Sequence, residues 1–170
     1  MGSWGPVGNY VTPQAISDTS TTQKLDLGTT IRCKYRKAAT SDTALGEAEF
    51  IYLKGAASTV VSDYVKFDEA FATTRVTANA VGPGGWAMSA NVANQYGWYQ
   101  RKGICIANVA ASFAADKAVF LTSTASVVDD APVKGDLIAN CVSLSAIDTP
   151  ITGDAYIWAD YPYTDDYAET

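Results

Sequence analysis

"ANQYGWYQRKG", residues 93–103, places Tyr96, Trp98 and Tyr99 within four positions, next to Arg101 and Lys102. Such a run is either an exposed aromatic platform for sugar or nucleic acid, or a core strand meeting its turn. Period-two alternation puts Tyr96, Trp98 and Gln100 on one face of a strand and Gln95, Gly97 and Tyr99 on the other. A strand of this kind buries Tyr96 and Trp98 as a pair, while Tyr99 lies over Gly97 or at a subunit contact. Arg101, Lys102 and Gly103 then form the bend or bulge that ends the run.

The same period recurs on both sides. In "TIRCKYRK" (30–37), Ile31, Cys33 and Tyr35 alternate with Arg32, Lys34 and Arg36, the pattern of a half-buried strand with a cationic outer face. "AEFIYLKG" (48–55) is large and apolar at successive positions, as a strand covered on both faces requires. "STVVSDYVKFD" (58–68) is rich in β-branched and aromatic residues, with a turn or bend at Asp63. "GICIANV" (103–109), "KAVFLTST" (117–124), "DLIANCVSLSA" (136–146) and "AYIWADY" (155–161) continue the rhythm of short strands bounded by turn residues. Gly82, Pro83, Gly84 and Gly85 read as a turn, and the alanine-rich "ANVAASFAADKA" (107–118) as the one short helix.

This spacing predicts an all-β chain folded as a single compact β-sandwich or β-barrel-like domain. The expected division is an extended N-terminal arm over 1–29, a β domain over 30–161 and an acidic C-terminal tail over 162–170. The arm is rich in Gly, Pro, Ser and Thr, "SDTSTTQ" (17–23) is too polar to pack, and Trp4 and Tyr10 are its anchors for a partner's groove.

Composition narrows the functional classes. A net charge of −6 argues against nucleic acid as the partner. No apolar stretch approaches the roughly 18 residues of a membrane-spanning helix, so no membrane partner is expected. From Asp129 onward there are nine acidic residues and one base, Lys134, whereas Arg32, Lys34, Arg36 and Lys37 crowd together near the start. A basic early strand and an acidic end can attract copies of the chain, or can simply be two solvated faces. Cys33, Cys105 and Cys141 stand far apart in apolar surroundings and read as small buried hydrophobes in a reducing compartment, and no metal site is expected.

The chain contains no histidine, which removes the commonest general base and the Ser–His and Cys–His nucleophile pairs. The local acid pairs Glu47/Glu49, Asp68/Glu69 and Asp129/Asp130 read as strand or turn residues. The expectation is therefore no enzyme and no cofactor. Four Trp and ten Tyr in a β domain leave carbohydrate binding as the rival reading.

"LGTTIRCKYR" (27–36), "GEAEFIYLKGAASTVVSDYVKFD" (46–68), "GGWAMSANVANQYGWYQRKG" (84–103) and "KAVFLTSTASVVDD" (117–130) together resemble the small head proteins of tailed bacteriophages, the capsid cement or decoration proteins. The resemblance spans about residues 27–145, and its most specific pieces are "EFIYLKG" (49–55) and "AMSANVANQYGWYQ" (87–100). It implies a β-rich, non-catalytic virion protein that binds the outside of the major capsid protein lattice, most often as a homotrimer, after assembly in the host cytoplasm. It brings no motif of functional residues. The interface candidates Trp4, Tyr10, Arg32, Lys34, Arg36 and Tyr99 rest on this sequence alone. The alternatives are a carbohydrate-binding module displayed on a particle and a tail or fibre component.

Overall fold

The computed structural model describes residues 5–6, 12–36 and 44–165. Among them β7 (Tyr96–Asn108) is the longest strand, and the fold is organised by its change of partner. Along one side its first half pairs with β3 (Ala44–Lys54), from Lys54 opposite Tyr96 to Glu49 opposite Lys102. Along the other side Tyr99 and Gln100 face Ala87 and Trp86 of β6 (Gly82–Ala87). From Lys102 to Asn108 that side belongs instead to β11 (Asp154–Thr164).

The switch falls on the residues expected to end the strand. The register with β3 shifts between Glu49 and Phe50, leaving Arg101 as the extra residue, and Gly103 has φ +97°. A side chain at Gly103 would meet the backbone of Glu47 and Ala48, so glycine here meets both a left-handed φ and a close crossing by β3. Arg101–Gly103 is thus a bulge, but β7 continues through it for five more residues, Ile104–Asn108. The ladder hydrogen bonds on both sides keep the backbone extended, so a twist replaces a stop.

The remaining strands complete a nine-stranded antiparallel sheet: β1 (Gly5–Pro6) pairs with β2 (Thr30–Arg36), β2 with β3, β4 (Tyr64–Phe67) with β5 (Thr73–Arg75) and β6, and β10 (Ile138–Ser143) with β11. β8 (Phe120–Leu121) and β9 (Val128–Asp129) form a small second sheet. The all-β, sandwich-like domain expected from the sequence is the fold observed, with no helix among the described residues. Residues 107–118, expected as a short helix, are instead the end of β7, a bridge at Val109 and a loop whose Ser112 has φ +71°. Ladder pairing of Ala107 and burial of Phe113 outweigh the helix propensity of the alanines.

The Gly82–Gly85 run is likewise a strand and no turn. Tyr64 lies across Gly84, where a Cβ would collide with its hydroxyl, and Gly85 sits against the carbonyl of Gln100. The glycines lower strand propensity, and the ring packed over them restores cover. Asp63, by contrast, does end a turn: its carboxylate accepts a hydrogen bond from Val60 N at 3.0 Å, one residue before β4 begins.

Among the described residues, three apolar clusters fill the domain. One gathers Phe50, Tyr52, Trp98, Cys33 and Ile16, and a second gathers Ile51, Leu53, Val65, Phe67 and Tyr99 on the opposite side of the same strands. The third lies along the far half of β7 and β11, where Cys105, Ala107, Ala155, Ile157 and Ala159 meet Phe113, Leu121, Val128 and Ile138.

Part of the expected arm belongs to the domain. Gln14 and Ile16 are buried, and Ser20 exchanges both backbone hydrogen bonds with Tyr96 at 3.1 and 2.8 Å. Residues 17–23 are polar, and it is main-chain bonding that holds Ser20 at the end of β7, while most of their side chains stay exposed. At the other end β11 extends to Thr164, past the boundary expected at 161, because Tyr163 and Thr164 pair with Pro83 and Gly82.

Candidate interaction surface

In the aromatic run that raised the question of a binding platform, Trp98 and Tyr99 are interior and Tyr96 is half-buried against the same cluster. Trp98 and Tyr99 are each 0% exposed. Trp98 meets Tyr52 edge-on with ring centres 5.2 Å apart, and its Nε1 donates to the carbonyl of Gln14 at 3.1 Å. Gln14 reaches further: its Nε2 donates to the Tyr96 carbonyl at 2.8 Å, and its Oε1 accepts from the Tyr52 hydroxyl at 2.7 Å. Burial pushes the Tyr99 hydroxyl up to about 12, so the phenol stays neutral. Tyr99, expected as an interface candidate, has no surface to offer, because β3 and β6 flank it and Ile51, Val65 and Ala87 share its cluster.

On β2, Arg32 and Lys34 are exposed, as the alternation predicts, and the structure adds that each stands opposite an acid. In register, Arg32 stands opposite Glu49 and Lys34 opposite Glu47. Arg32 Nε and Glu49 Oε2 are 2.6 Å apart, and the Tyr161 hydroxyl donates to the same carboxylate oxygen at 2.9 Å while accepting from Arg32 Nη2 at 3.3 Å. These hydrogen bonds, Glu49 first, raise the Arg32 pKa still further. Lys34 is exposed. Arg36 lies in β2 opposite Ala44, and its side chain falls outside the described residues, as do Trp4 and Tyr10.

The register carries the ion pairing across four strands. Arg32, Glu49, Lys102 and Asp160 are successive cross-strand partners, alternating in sign, and Lys102 Nζ lies 2.7 Å from Asp160 Oδ1. Arg101, half-buried, stacks between the rings of Phe67 and Tyr161, 5.2 Å from each centre. Burial lowers its pKa, and the neighbouring Glu49 opposes that shift. The row is therefore charge-balanced, and a partner meeting it encounters both signs.

Two residues along β11 the character changes. Val142, Trp158 and Ile104 are cross-strand partners on β10, β11 and β7. Trp158 is 46% exposed, Val142 37%, and Leu144, just past β10, 42%. Alternation explains the arrangement: Ala155, Ile157 and Ala159 are buried while Tyr156, Trp158 and Asp160 point the other way. This open apolar row, next to an alternating-charge row, is the surface that the sequence reading missed. The signal was present in "DAYIWADY", where Tyr156 and Trp158 occupy the middle of the outward period, between Asp154 and Asp160, at positions that a soluble strand gives to polar residues.

Other chemistry is sparse. Among the described residues no group of three or more metal-ligating side chains gathers. Cys33 and Cys105 are buried and Cys141 partly so, and burial pushes the Cys33 thiol up to about 11, away from thiolate reactivity. A buried polar cluster does exist that sequence spacing could not reveal. Asp63, fully buried, pairs with Arg75 Nε at 2.9 Å, and Asp154 accepts from the hydroxyl of Ser62, the residue before Asp63, at 3.1 Å. Burial raises both carboxyls, and the charge of Asp63 raises Asp154 further.

No protein-family model matches the sequence, and no curated protein matches it.

Proposed function

We propose that this chain is a structural virion protein that decorates and cements a phage capsid, binding the outer surface of the major capsid protein lattice as an oligomer. The observation that carries the reading is the open Val142–Trp158 row. A large indole left 46% exposed among aliphatic neighbours is the kind of anchor that protein interfaces bury. The balanced charge row beside it supplies register without demanding a strongly charged partner. Repetition around a symmetry axis then multiplies weak contacts, so that a clamp touching several capsid subunits resists internal pressure with modest affinity at each. The likeness of residues 27–145 to small phage head proteins points the same way.

Cryo-electron microscopy of the particle that carries this chain tests the reading. The expected result is density on the shell exterior at a symmetry axis, with Trp158 against the major capsid protein. Density in a tail or fibre, or a Trp158 row facing solvent in the assembled particle, overturns it.

The exposed indole also favours a second reading, stacking on a sugar. Glycan-array binding that disappears in Trp158→Ala would establish it. The version of that reading built on Trp98 fails, because that ring is enclosed.

A further inference from the structure

β6, β7 and β11 meet at a three-strand junction. β7 leaves β6 after Gln100 and pairs with β11 from Lys102, while β11 leaves β7 after Asp160 and pairs with β6 from Tyr163. Arg101 and Tyr161 follow directly on those two departures, and each carries a backbone irregularity. Arg101 is the bulge residue, and Tyr161 has φ +55°, uncommon for a tyrosine. Gly85 of β6 leaves room for the arginine stem, since a Cβ there would stand 3.5 Å from Arg101 Cγ.

These departures from regular strand bring a guanidinium against two rings. Arg101 lies on Phe67, itself stacked on Phe71, and on Tyr161, whose hydroxyl is tied to Glu49. The other charges of the group are already paired, Arg32 with Glu49 and Lys102 with Asp160. Arg101 pairs with no carboxylate among the described residues, and its Nε is buried without an acceptor. Three cations against two acids leave one positive charge, and Arg101 is the group that holds it.

We propose that Arg101 is a binding site for a single carboxylate, an Asp or Glu side chain presented by a protein partner. A buried donor without an acceptor calls for a missing group, and the planar guanidinium fork matches a carboxylate. The rings restrict the arginine before the partner arrives, which lowers the ordering cost of binding. A phosphate fits less well, because its second negative charge would meet Glu49 and Asp160 with no cation left to balance it. The setting is an open one, with the side chains of Arg32 and Asp160 67% and 51% exposed. A free small acid finds no enclosure there, whereas a carboxylate carried on a larger surface is held by that surface's other contacts. On the capsid reading that surface is the major capsid protein, but the site itself stands on the geometry around Arg101.

Sodium acetate titrated into the isotope-labelled full chain, with chloride replaced at constant ionic strength, tests the site by NMR. The Arg101 Nε–H and the Lys102 and Gly103 amides should shift saturably. The midpoint should lie about fivefold below that of Arg101→Lys, which keeps the charge and loses the fork. Asp160→Asn, at an exposed position, should tighten acetate about twofold by raising the local positive charge, and it decides the matter if Arg101→Lys does not fold. Shifts that never saturate, an unchanged midpoint in the variants, or tighter binding of inorganic phosphate than of acetate overturn the proposal. Co-sedimentation with capsid shells reads the partner, and Arg101→Lys should bind them about fivefold more weakly than the parent. Equal shell binding by parent and variant overturns a capsid carboxylate at Arg101. Shells that fail to bind the parent defeat the capsid reading instead, and the acetate titration still decides the site.

Discussion

Trp98 and Trp158 are both strand tryptophans in stretches that read alike, yet one is enclosed and the other is the most exposed large aromatic in the described chain. The difference lies in what covers each strand. Trp98 sits where β7 is flanked by β3 and β6 and roofed by Gln14 and Ile16. Trp158 sits on β11 between β7 and β10, where one face is filled by the Cys105–Ile157 cluster and the other keeps only part of a cover. An aromatic-rich strand thus says little about binding until the second layer is known.

The largest test of this contrast is Trp98→Ala. It removes a ring packed on Tyr52 and a bond to the Gln14 carbonyl, and should destabilise the domain by about 3–5 kcal/mol. Denaturant midpoints measure it. A loss as small as that of a surface substitution would mean that the roof that residues 14–20 place over Trp98 is not formed in solution.

Gly103→Ala tests the point where the two halves of β7 part company. A Cβ there needs a left-handed backbone and displacement of Glu47 and Ala48, at a cost of about 1–3 kcal/mol from the strained backbone alone. Thermal denaturation should show the loss, and an unchanged midpoint would refute the close crossing of β3 over β7.

Smaller still is the effect of Asp154→Asn, in the polar cluster behind the open half. Both Asp63 and Asp154 are raised above the ordinary carboxyl value, chiefly by burial. The folded chain thus holds these protons more tightly than the unfolded one. Their favourable contribution is present in full below the unfolded value of about 3.8 and is lost as pH rises through the higher folded value. Asp154→Asn should raise stability slightly at about pH 7 and flatten the change between about pH 7 and about pH 4.5. Urea midpoints at the two pH values decide it, and a variant less stable than the parent at neutral pH would show that the Ser62–Asp154 contact outweighs the burial cost.

Legibility followed the range of the interactions. Strands β2 and β7 were visible through their alternation, β3 through its continuous apolar run, and β10 and β11 through short runs bounded by turn residues, all local properties that survive assembly. The Gly82–Gly85 strand and the lost helix at 107–118 were hidden because Tyr64 and the β11 ladder, both distant in sequence, override local propensity. The pairing of Arg32 and Lys34 with Glu49 and Glu47 needed the hairpin register, which only the fold supplies. For the same reason Tyr99 read as a possible contact residue, while Trp158, with a plain outward period, was passed over.

The smallest expected effect on stability is the one that matters most for function. Trp158→Ala removes a half-exposed ring at the open row, and surface changes of this kind usually stay within about 0.5 kcal/mol. Val142 and Ile104 are the cross-strand neighbours of Trp158, so a loss at the upper end of that range is consistent with an unroofed sheet face. Binding should respond very differently, since a buried tryptophan anchor truncated at an interface commonly costs about 2 kcal/mol or more. Co-sedimentation of the variant with capsid shells, run beside its denaturation curve, separates the two. Near-parental stability with lost shell binding marks the row as the contact. Intact shell binding would move the contact elsewhere, and a Trp98-like collapse would mean that Trp158 is core despite its exposure.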